Sequence, residues 1–164
     1  LYTASTVYHS LSLSKRVVEI LRRIDHMMIY ILIAGTYTPI CLVPLRGPWG
    51  WSIFGTILGI AVLGIVMKIF WLDAPRWLYT LFYVGMGWLA MIALPPLVRS
   101  MPVGGIVWLL IGGVFYTIGA VIYALKRPNP IPGRFGFHEI FHLFVLAGSA
   151  SHFWLMYRYI LWIK

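Results

Sequence analysis

The sequence predicts an all-α membrane protein, a polytopic bundle of transmembrane helices. Of its 164 residues, 61% are hydrophobic and 10% are charged, whereas about 25% of residues are charged in soluble domains. The mean hydropathy is +0.88, and apolar runs of about 20 residues, long enough to cross a bilayer, follow one another. The single cysteine, Cys41, excludes an internal disulfide and a cysteine-rich zinc site. We expect residues 1–164 to form one integral-membrane domain.

Basic and turn-forming stretches separate the apolar runs. They predict a partial span over 1–13 and full spans over about 24–45, 51–72, 77–98, 104–125 and 137–163. Residues 1–13 are apolar but too short to cross a bilayer alone, so we expect them to be the second half of a span whose beginning is missing from this chain. Residues 14–23 mix basic and apolar side chains, which favours a short helix lying in the membrane interface.

Glycine spacings predict where helices approach one another closely. Gly55 and Gly59 lie four residues apart within one span, a spacing typical of helix packing in membranes. Gly105, Gly112 and Gly119 lie seven apart in a later span, so they form one stripe on the helix. We expect another helix to pack against this stripe.

The net charge of +9 suggests nucleic acid as a partner, but membrane topology explains it better, because basic residues mark cytoplasmic loops. We therefore expect no nucleic-acid partner. Counted over alternate loops, one side holds nine basic residues: Lys15, Arg16, Arg22, Arg23, Lys68, Arg76, Lys126, Arg127 and Arg134. The other side holds four: Arg46, Arg99, Arg158 and Lys164. The first side is predicted to be cytoplasmic, which places the C-terminus outside.

His138 and His142 are the strongest indication of chemistry. They frame an H-E-x-x-H motif at the start of the last span, and residues four apart share one face of a helix, so both imidazoles can hold one metal ion. Ionisable groups inside a span are costly and indicate function. Glu139 lies about 100° off the histidine face. Its possible roles are those of a general base, a supporting partner of the site or an interfacial residue.

Three distant stretches place ionisable groups at one depth near the predicted cytoplasmic side. His9 lies about 6 to 9 Å before the basic loop at 1.5 Å per residue, Asp25 opens the next span, and His138 and His142 open the last. Three imidazoles match a catalytic zinc site, which keeps one position for water. Asp25 is the predicted base. Ser5, four residues before His9, is expected to orient the water or a substrate carbonyl.

Two further histidines lie outside this constellation. His26 points about 100° away from Asp25, and we interpret it as interfacial. His152 lies ten residues beyond His142, roughly 15 Å deeper in the membrane. We interpret it as a packed polar residue that is hydrogen-bonded to another helix.

These residues resemble the motifs of the hemolysin III family, the bacterial branch of the progestin and adipoQ receptor group that includes the adiponectin receptors. The resemblance covers nearly the whole chain, from the second family helix to the seventh. Three motifs carry it: Ser5-x-x-x-His9, the step Arg23-Ile24-Asp25-His26, and His138-x-x-x-His142 followed by His152-Phe153.

The resemblance implies a seven-helix bundle in a bacterial plasma membrane, with zinc (Zn²⁺) near the cytoplasmic face and the first helix missing from this chain. It implies that His9, His138 and His142 are the zinc ligands, and that Ser5 and Asp25 lie next to these ligands without binding the metal themselves. The group also resembles the alkaline ceramidases, which hydrolyse lipid amides with a similar set of serine, aspartate and three histidines.

The expected function is hydrolysis of a lipid amide or ester bond, with membrane lipids as partners and a lipid substrate or fatty acid inside the bundle. Three other functions suit the same chain. One is a receptor or sensor with a structural zinc, and a second is a membrane-damaging hemolysin or channel. A third is an intramembrane metalloprotease with Glu139 as its base.

Overall fold

The computed structural model describes residues 14–71, 73–131 and 135–163. Within them, the α-helices are numbered in chain order: α1 (Lys15–Leu42), α2 (Pro48–Phe70), α3 (Arg76–Trp88), α4 (Leu94–Ser100), α5 (Val103–Leu125) and α6 (Phe137–Leu155). A 3₁₀ turn, Leu89–Met91, follows α3, and a π-helical turn, Met156–Ile160, continues α6. The predicted partial span over 1–13, with Ser5 and His9, lies outside the described residues.

Several helices in the described part of the chain are long and apolar enough to cross a membrane. Three qualify alone: Pro48–Phe70, Val103–Leu125 and Phe137–Ile160. The segments Trp77–Met91 and Leu94–Ser100 make a fourth if the two, bent by 51°, form one span. The prediction of a helical membrane bundle is confirmed.

Exposed tryptophans mark both ends of α2. Trp49 and Trp51 lie in its first turn, and Trp71 follows its last residue. From Trp49 to Trp71 a helix rises about 33 Å at 1.5 Å per residue, close to the roughly 30 Å of a bilayer's hydrocarbon core. Tryptophan is enriched at both membrane interfaces, so this spacing fits a helix that is long enough to cross the bilayer.

Two long helix pairs build the bundle. α1 packs along α2, α5 packs along α6, and α3 joins the pairs through contacts with α1, α2 and α5. The starts of α1, α3 and α6 lie at the same end of the bundle as the ends of α2 and α5; we call this the basic end. An ion pair between Arg22 and Asp73, at 2.9 Å, closes one side of it. Tyr123 of α5 packs on Phe137 of α6 at the other side.

The first helix differs from its prediction. The sequence predicts an interfacial helix over 14–23 and then a separate span, but the structure has one continuous helix, Lys15–Leu42. No glycine or proline occurs between Ser14 and Ala34, so nothing ends the helix where its charge pattern changes. The continuous helix ties the basic residues of its first turns rigidly to Asp25 and His26.

The predicted span over 77–98 is broken in the structure. α3 ends at Trp88, and α4 begins at Leu94 after a bend of 51°. Pro95 and Pro96 explain the break, because neither has an N–H to donate to the preceding turn. Both lie in the first turn of α4, where proline is well tolerated.

The Tyr37 hydroxyl of α1 holds the broken region together. It donates to the carbonyl oxygens of Met86 and Gly87 and accepts the N–H of Ala90, all at 2.8 Å.

Tyr37→Phe is expected to lower the free energy of unfolding by about 1–3 kcal/mol, because buried backbone groups lose their partner. Thermal unfolding of the purified variant measures this. Tyr30→Phe is the control, since the buried Tyr30 hydroxyl makes no hydrogen bond to the backbone of the described chain; equal losses in both variants would contradict the prediction.

The glycine stripe of α5 contacts α6 as predicted. A Cβ atom at Gly112 would collide with the His152 ring, and one at Gly119 would lie 3.0 Å from the Phe144 Cβ. The absence of side chains therefore lets the two helices approach closely.

The predicted packing role of Gly55 and Gly59 is wrong for the described helices. Both are exposed, and a Cβ atom at either position would meet no atom of the described chain within 4 Å. Gly50 and Gly64 pack instead, against the Cys41 carbonyl and the Tyr30 ring. Because α2 is apolar on every face, its sequence does not show which glycines face a neighbour.

Gly112→Ala is expected to lower the free energy of unfolding by about 1–3 kcal/mol, because the added methyl group overpacks the contact with His152. Gly113→Ala is the matched control, since a Cβ atom there meets nothing within 4 Å of the described chain. It is expected to leave stability unchanged or raise it slightly, because alanine has the higher helix propensity. Thermal unfolding compares the two variants, and equal melting temperatures would show that the His152 ring moves aside freely.

Candidate metal centre and cavity

A cavity of about 600 Å³ opens between α1, α3, α5 and α6. Small-molecule sites typically occupy about 300–1,000 Å³. Its wall on α1 runs from Arg22 to Ile40, about 27 Å of helix at 1.5 Å per residue. The cavity is therefore long and narrow, and it follows the helix axes. Most of its wall is apolar, and its charged side chains and three of its imidazoles, those of His26, His138 and His142, lie at the basic end.

His138 and His142 converge at that end. Their Nε2 atoms lie 3.1 Å apart, and the rings are nearly perpendicular. Two nitrogen ligands of a tetrahedral zinc ion, each about 2.0–2.1 Å from the metal, lie about 3.3–3.4 Å apart, so the pair fits two positions of such a site. Tyr123, Phe137 and Phe141 surround the His138 ring, with centroids 6.0, 6.2 and 6.3 Å away.

Asp25 lines the same cavity from α1. The residue is 8% exposed, and its Oδ1 atom is buried without a hydrogen-bond partner among the described residues. A buried carboxylate is costly unless a cation or a hydrogen-bond donor faces it. The described neighbours therefore leave this carboxylate available to a cation, a water molecule or a substrate.

The described residues do not complete a metal site by themselves. Among them, no group of three or more His, Cys, Asp and Glu side chains is placed to share an ion. The third predicted ligand, His9, lies outside the described residues, as does Ser5. The donor chemistry nevertheless fits zinc, which imidazole nitrogens bind readily. The roles of these residues stay predictions.

Glu139 caps the start of α6. Its Oε2 atom accepts the backbone N–H of Gly136 at 2.8 Å, and the side chain is exposed. In the described chain, the cavity wall does not include it. Capping was not among its predicted roles, although a glutamate three residues after the N-cap residue of a helix has capping-box spacing.

His26 lines the cavity beside Asp25, a position that its interpretation as interfacial does not include. Its Nδ1 atom lies 2.6 Å from the Arg22 carbonyl oxygen. Nδ1 is the donor of this hydrogen bond, because a carbonyl oxygen can only accept. Tyr79 packs edge-on against the ring, and the Tyr83 hydroxyl donates to the His26 carbonyl at 3.2 Å. The cavity wall is wide enough to include both Asp25 and its neighbour, and helix periodicity alone does not reveal this width.

His152 lies deeper in the same cavity. Its Nε2 atom is 3.2 Å from the Leu109 carbonyl oxygen on α5, and its ring meets Tyr116 edge-on. The interpretation of His152 as a packed polar residue bonded to another helix is confirmed.

Lys68 is a buried cation behind the cavity wall, whereas its place in the sequence indicated only the membrane topology. It is 1% exposed, and its Nζ atom lies 3.6 Å from the Tyr79 ring centroid, a cation–π contact. Arg23 of α1 donates to the Ile69 carbonyl oxygen at 3.0 Å. These contacts join α1, α2 and α3 beside Asp25 and His26.

A family model described as haemolysin-III related matches residues 1–153. The chain belongs to the haemolysin-III-related family. Hemolysin-3 of Bacillus cereus is 41% identical to it over 161 residues, which cover 98% of this chain and 70% of that protein. The Hemolysin-3 homolog of Bacillus subtilis (strain 168) is 42% identical over 159 residues, 97% of this chain and 71% of that protein.

More distant relatives of this haemolysin-III-related protein include the human monocyte to macrophage differentiation factor. It is 28% identical over 164 aligned residues, which cover 98% of this chain and 66% of that protein. No solved structure matches the chain at a comparable level of significance. Family membership and membrane-spanning helices together identify a multi-pass membrane protein.

Proposed function

We propose that this haemolysin-III-related protein is a zinc-dependent hydrolase of lipid amide or ester bonds, working at the basic end of its cavity. One observation carries the proposal. Two imidazole nitrogens on α6 converge to 3.1 Å, in a cavity that also contains the buried Asp25 carboxylate without a described hydrogen-bond partner. The basic end is the cytoplasmic end in this proposal, because basic residues mark that side of a membrane.

His9, His138 and His142 would hold the zinc ion. When bound, zinc supplies Lewis acidity, which lowers the pKa of a water molecule and polarises a carbonyl group. Asp25 takes the proton of the attacking water and returns it to the leaving amine or alcohol. Ser5 orients the water or the carbonyl. The products are a fatty acid and an amine or alcohol.

The shape of the cavity supports a lipid substrate. Its wall on α1 extends for about 27 Å at 1.5 Å per residue, close to the roughly 30 Å of the hydrocarbon core. Apolar side chains such as Ile33, Leu110 and Val145 line it. An acyl chain fits along this length, with its carbonyl at the basic end beside Asp25 and His142.

The test uses the full-length protein, purified in detergent and assayed for zinc. Lipids with amide-linked and ester-linked acyl chains are added, and released fatty acid is measured by mass spectrometry. We expect release that stops after chelation and returns with zinc. Zinc-loaded protein that releases no fatty acid from any of these lipids would refute hydrolysis and favour a receptor or sensor with a structural zinc.

Membrane lysis is a second candidate, because the 41% identical relative from Bacillus cereus carries the name Hemolysin-3. Purified protein would then release a trapped dye from lipid vesicles. Leakage that persists in the His142→Ala variant would support lysis independent of the metal. Intact vesicles would remove this candidate.

A further inference from the structure

The mouth of the cavity at the basic end carries a cation that the proposed hydrolysis does not use. Arg22 lines it together with Asp73, Ala74 and Pro75 of the loop between α2 and α3. The Arg22 Nη2 atom lies 2.9 Å from the Asp73 Oδ1 atom, and the two side chains are 38% and 83% exposed. So exposed an ion pair contributes little stability, and therefore an incoming anion can displace Asp73.

Two neighbouring basic side chains at this end, those of Arg23 and Lys68, are engaged elsewhere. Arg23 donates to the Glu19 carboxylate and to the Ile69 carbonyl oxygen. Lys68 is buried against Tyr79 and does not line the cavity. Among the basic side chains that the structure describes, which leave out those of Lys15 and Arg76, Arg22 thus faces both the cavity and its opening. Its planar guanidinium suits a carboxylate, which it binds through two parallel hydrogen bonds.

The depth of Arg22 indicates where the anionic group of a ligand would lie. Arg22 precedes Asp25 by three residues on the continuous helix α1, which places it about 4.5 Å nearer the mouth at 1.5 Å per residue. Three bonds of an extended peptide-like spacer span about 3.3–3.6 Å. A ligand with its acyl carbonyl beside Asp25 therefore brings a carboxylate, three bonds away, close to Arg22. N-acyl amino acids have this arrangement.

We infer that Arg22 is the carboxylate-binding residue of a headgroup subsite at the mouth of the cavity, and that the cavity takes N-acyl amino acids. The acyl chain occupies the apolar length of the cavity, the amide lies beside Asp25, and the carboxylate replaces Asp73 on the guanidinium. The position of the amide rests on the proposed function, whereas binding at Arg22 is measured after chelation of zinc, when no turnover is expected.

The test measures the binding of two amphiphiles to the full-length protein by tryptophan fluorescence. N-dodecanoylglycine and N-dodecanoylethanolamine share the chain and the amide and differ in the carboxylate. Wild type is expected to bind the acylglycine about tenfold more tightly, since a charged hydrogen-bond pair is involved. Arg22→Gln removes this preference. Arg16→Gln retains it, because Arg16 is exposed on the same helix and lies outside the cavity wall.

Asp73→Asn gives the sharper expectation, because it removes the competing carboxylate. It is expected to tighten acylglycine binding about threefold, the size of an exposed ion pair, and to leave acylethanolamine binding unchanged. This variant also keeps the inference testable if Arg22→Gln does not fold. Unchanged or weaker acylglycine binding in Asp73→Asn would overturn the subsite.

The other outcomes separate this inference from the proposed function. Equal affinity of wild type for the two amphiphiles, or an intact preference in Arg22→Gln, overturns the subsite while the lipid-binding cavity stands. If neither amphiphile binds, both the subsite and the lipid-binding cavity are overturned. Acylglycine preference that survives in wild-type protein without hydrolytic activity supports the subsite and refutes only the hydrolase.

Discussion

Replacing His142 by alanine is expected to strip the metal from the purified protein and to abolish fatty-acid release. Wild type should contain about one zinc ion per chain, and the variant close to none, because two remaining imidazoles hold the ion far less tightly than three. The reason is geometric: the Nε2 atoms of His138 and His142 lie 3.1 Å apart, so each supplies one position of a shared site. Elemental analysis of the two proteins by mass spectrometry measures the difference.

His26→Asn is the matched control for this loss. His26 lines the same cavity but is not a predicted ligand, and an asparagine amide can still donate to the Arg22 carbonyl. This variant should keep its zinc, whereas His9→Ala should lose it as His142→Ala does. A wild-type protein without zinc would mean that the contact between His138 and His142 is an N–H···N hydrogen bond within α6, and the metal site would be refuted.

The pairing of His138 and His142 was predictable from the sequence because it depends on one helix alone. Residues four apart meet on one face wherever the helix lies, and the described contact follows from that rule. Placing Asp25 in the same cavity required the alternation of spans and basic loops to be read correctly. The structure places Asp25, His138 and His142 in the wall of one cavity, and their shared depth in the membrane stays a prediction.

The face that each helix turns towards its neighbours was less predictable from the sequence. Along α2 apolar residues occur on every face, and therefore nothing in the sequence distinguishes the packed Gly50 and Gly64 from the exposed Gly55 and Gly59. His26 shows the same limit, since periodicity separates it from Asp25 by about 100° but does not give the width of the cavity that includes both.

The break between α3 and α4 was predictable from its two prolines, but the mean hydropathy of the segment does not show it. Hydropathy over residues 77–98 favours a continuous span, since the average treats Pro95 and Pro96 as two more moderately polar residues. Their effect is conformational, because each removes a backbone donor. The role of Tyr37 in holding this break depends on the distant packing of α1, which no local pattern shows.

Asp25→Asn is expected to abolish hydrolysis while the zinc stays bound. The substitution preserves the size of the side chain and removes the carboxylate that takes the proton, so fatty-acid release should fall about 10²–10⁴-fold, the usual contribution of a general base. The melting temperature should stay the same or rise, because the Oδ1 atom is buried without a described partner and a neutral amide is less costly there. Fatty-acid release, zinc content and thermal unfolding are measured on the same preparation.

Glu139→Gln is the control that distinguishes the two candidate bases. Glutamine keeps an oxygen that can accept the Gly136 N–H, as Glu139 does in the structure, so the helix cap survives and hydrolysis should be unimpaired. Loss of turnover in Glu139→Gln with full turnover in Asp25→Asn would reverse the assignment and favour a metalloprotease-like base. A zinc-loaded Asp25→Asn protein with undiminished turnover would show that the buried carboxylate is not the base.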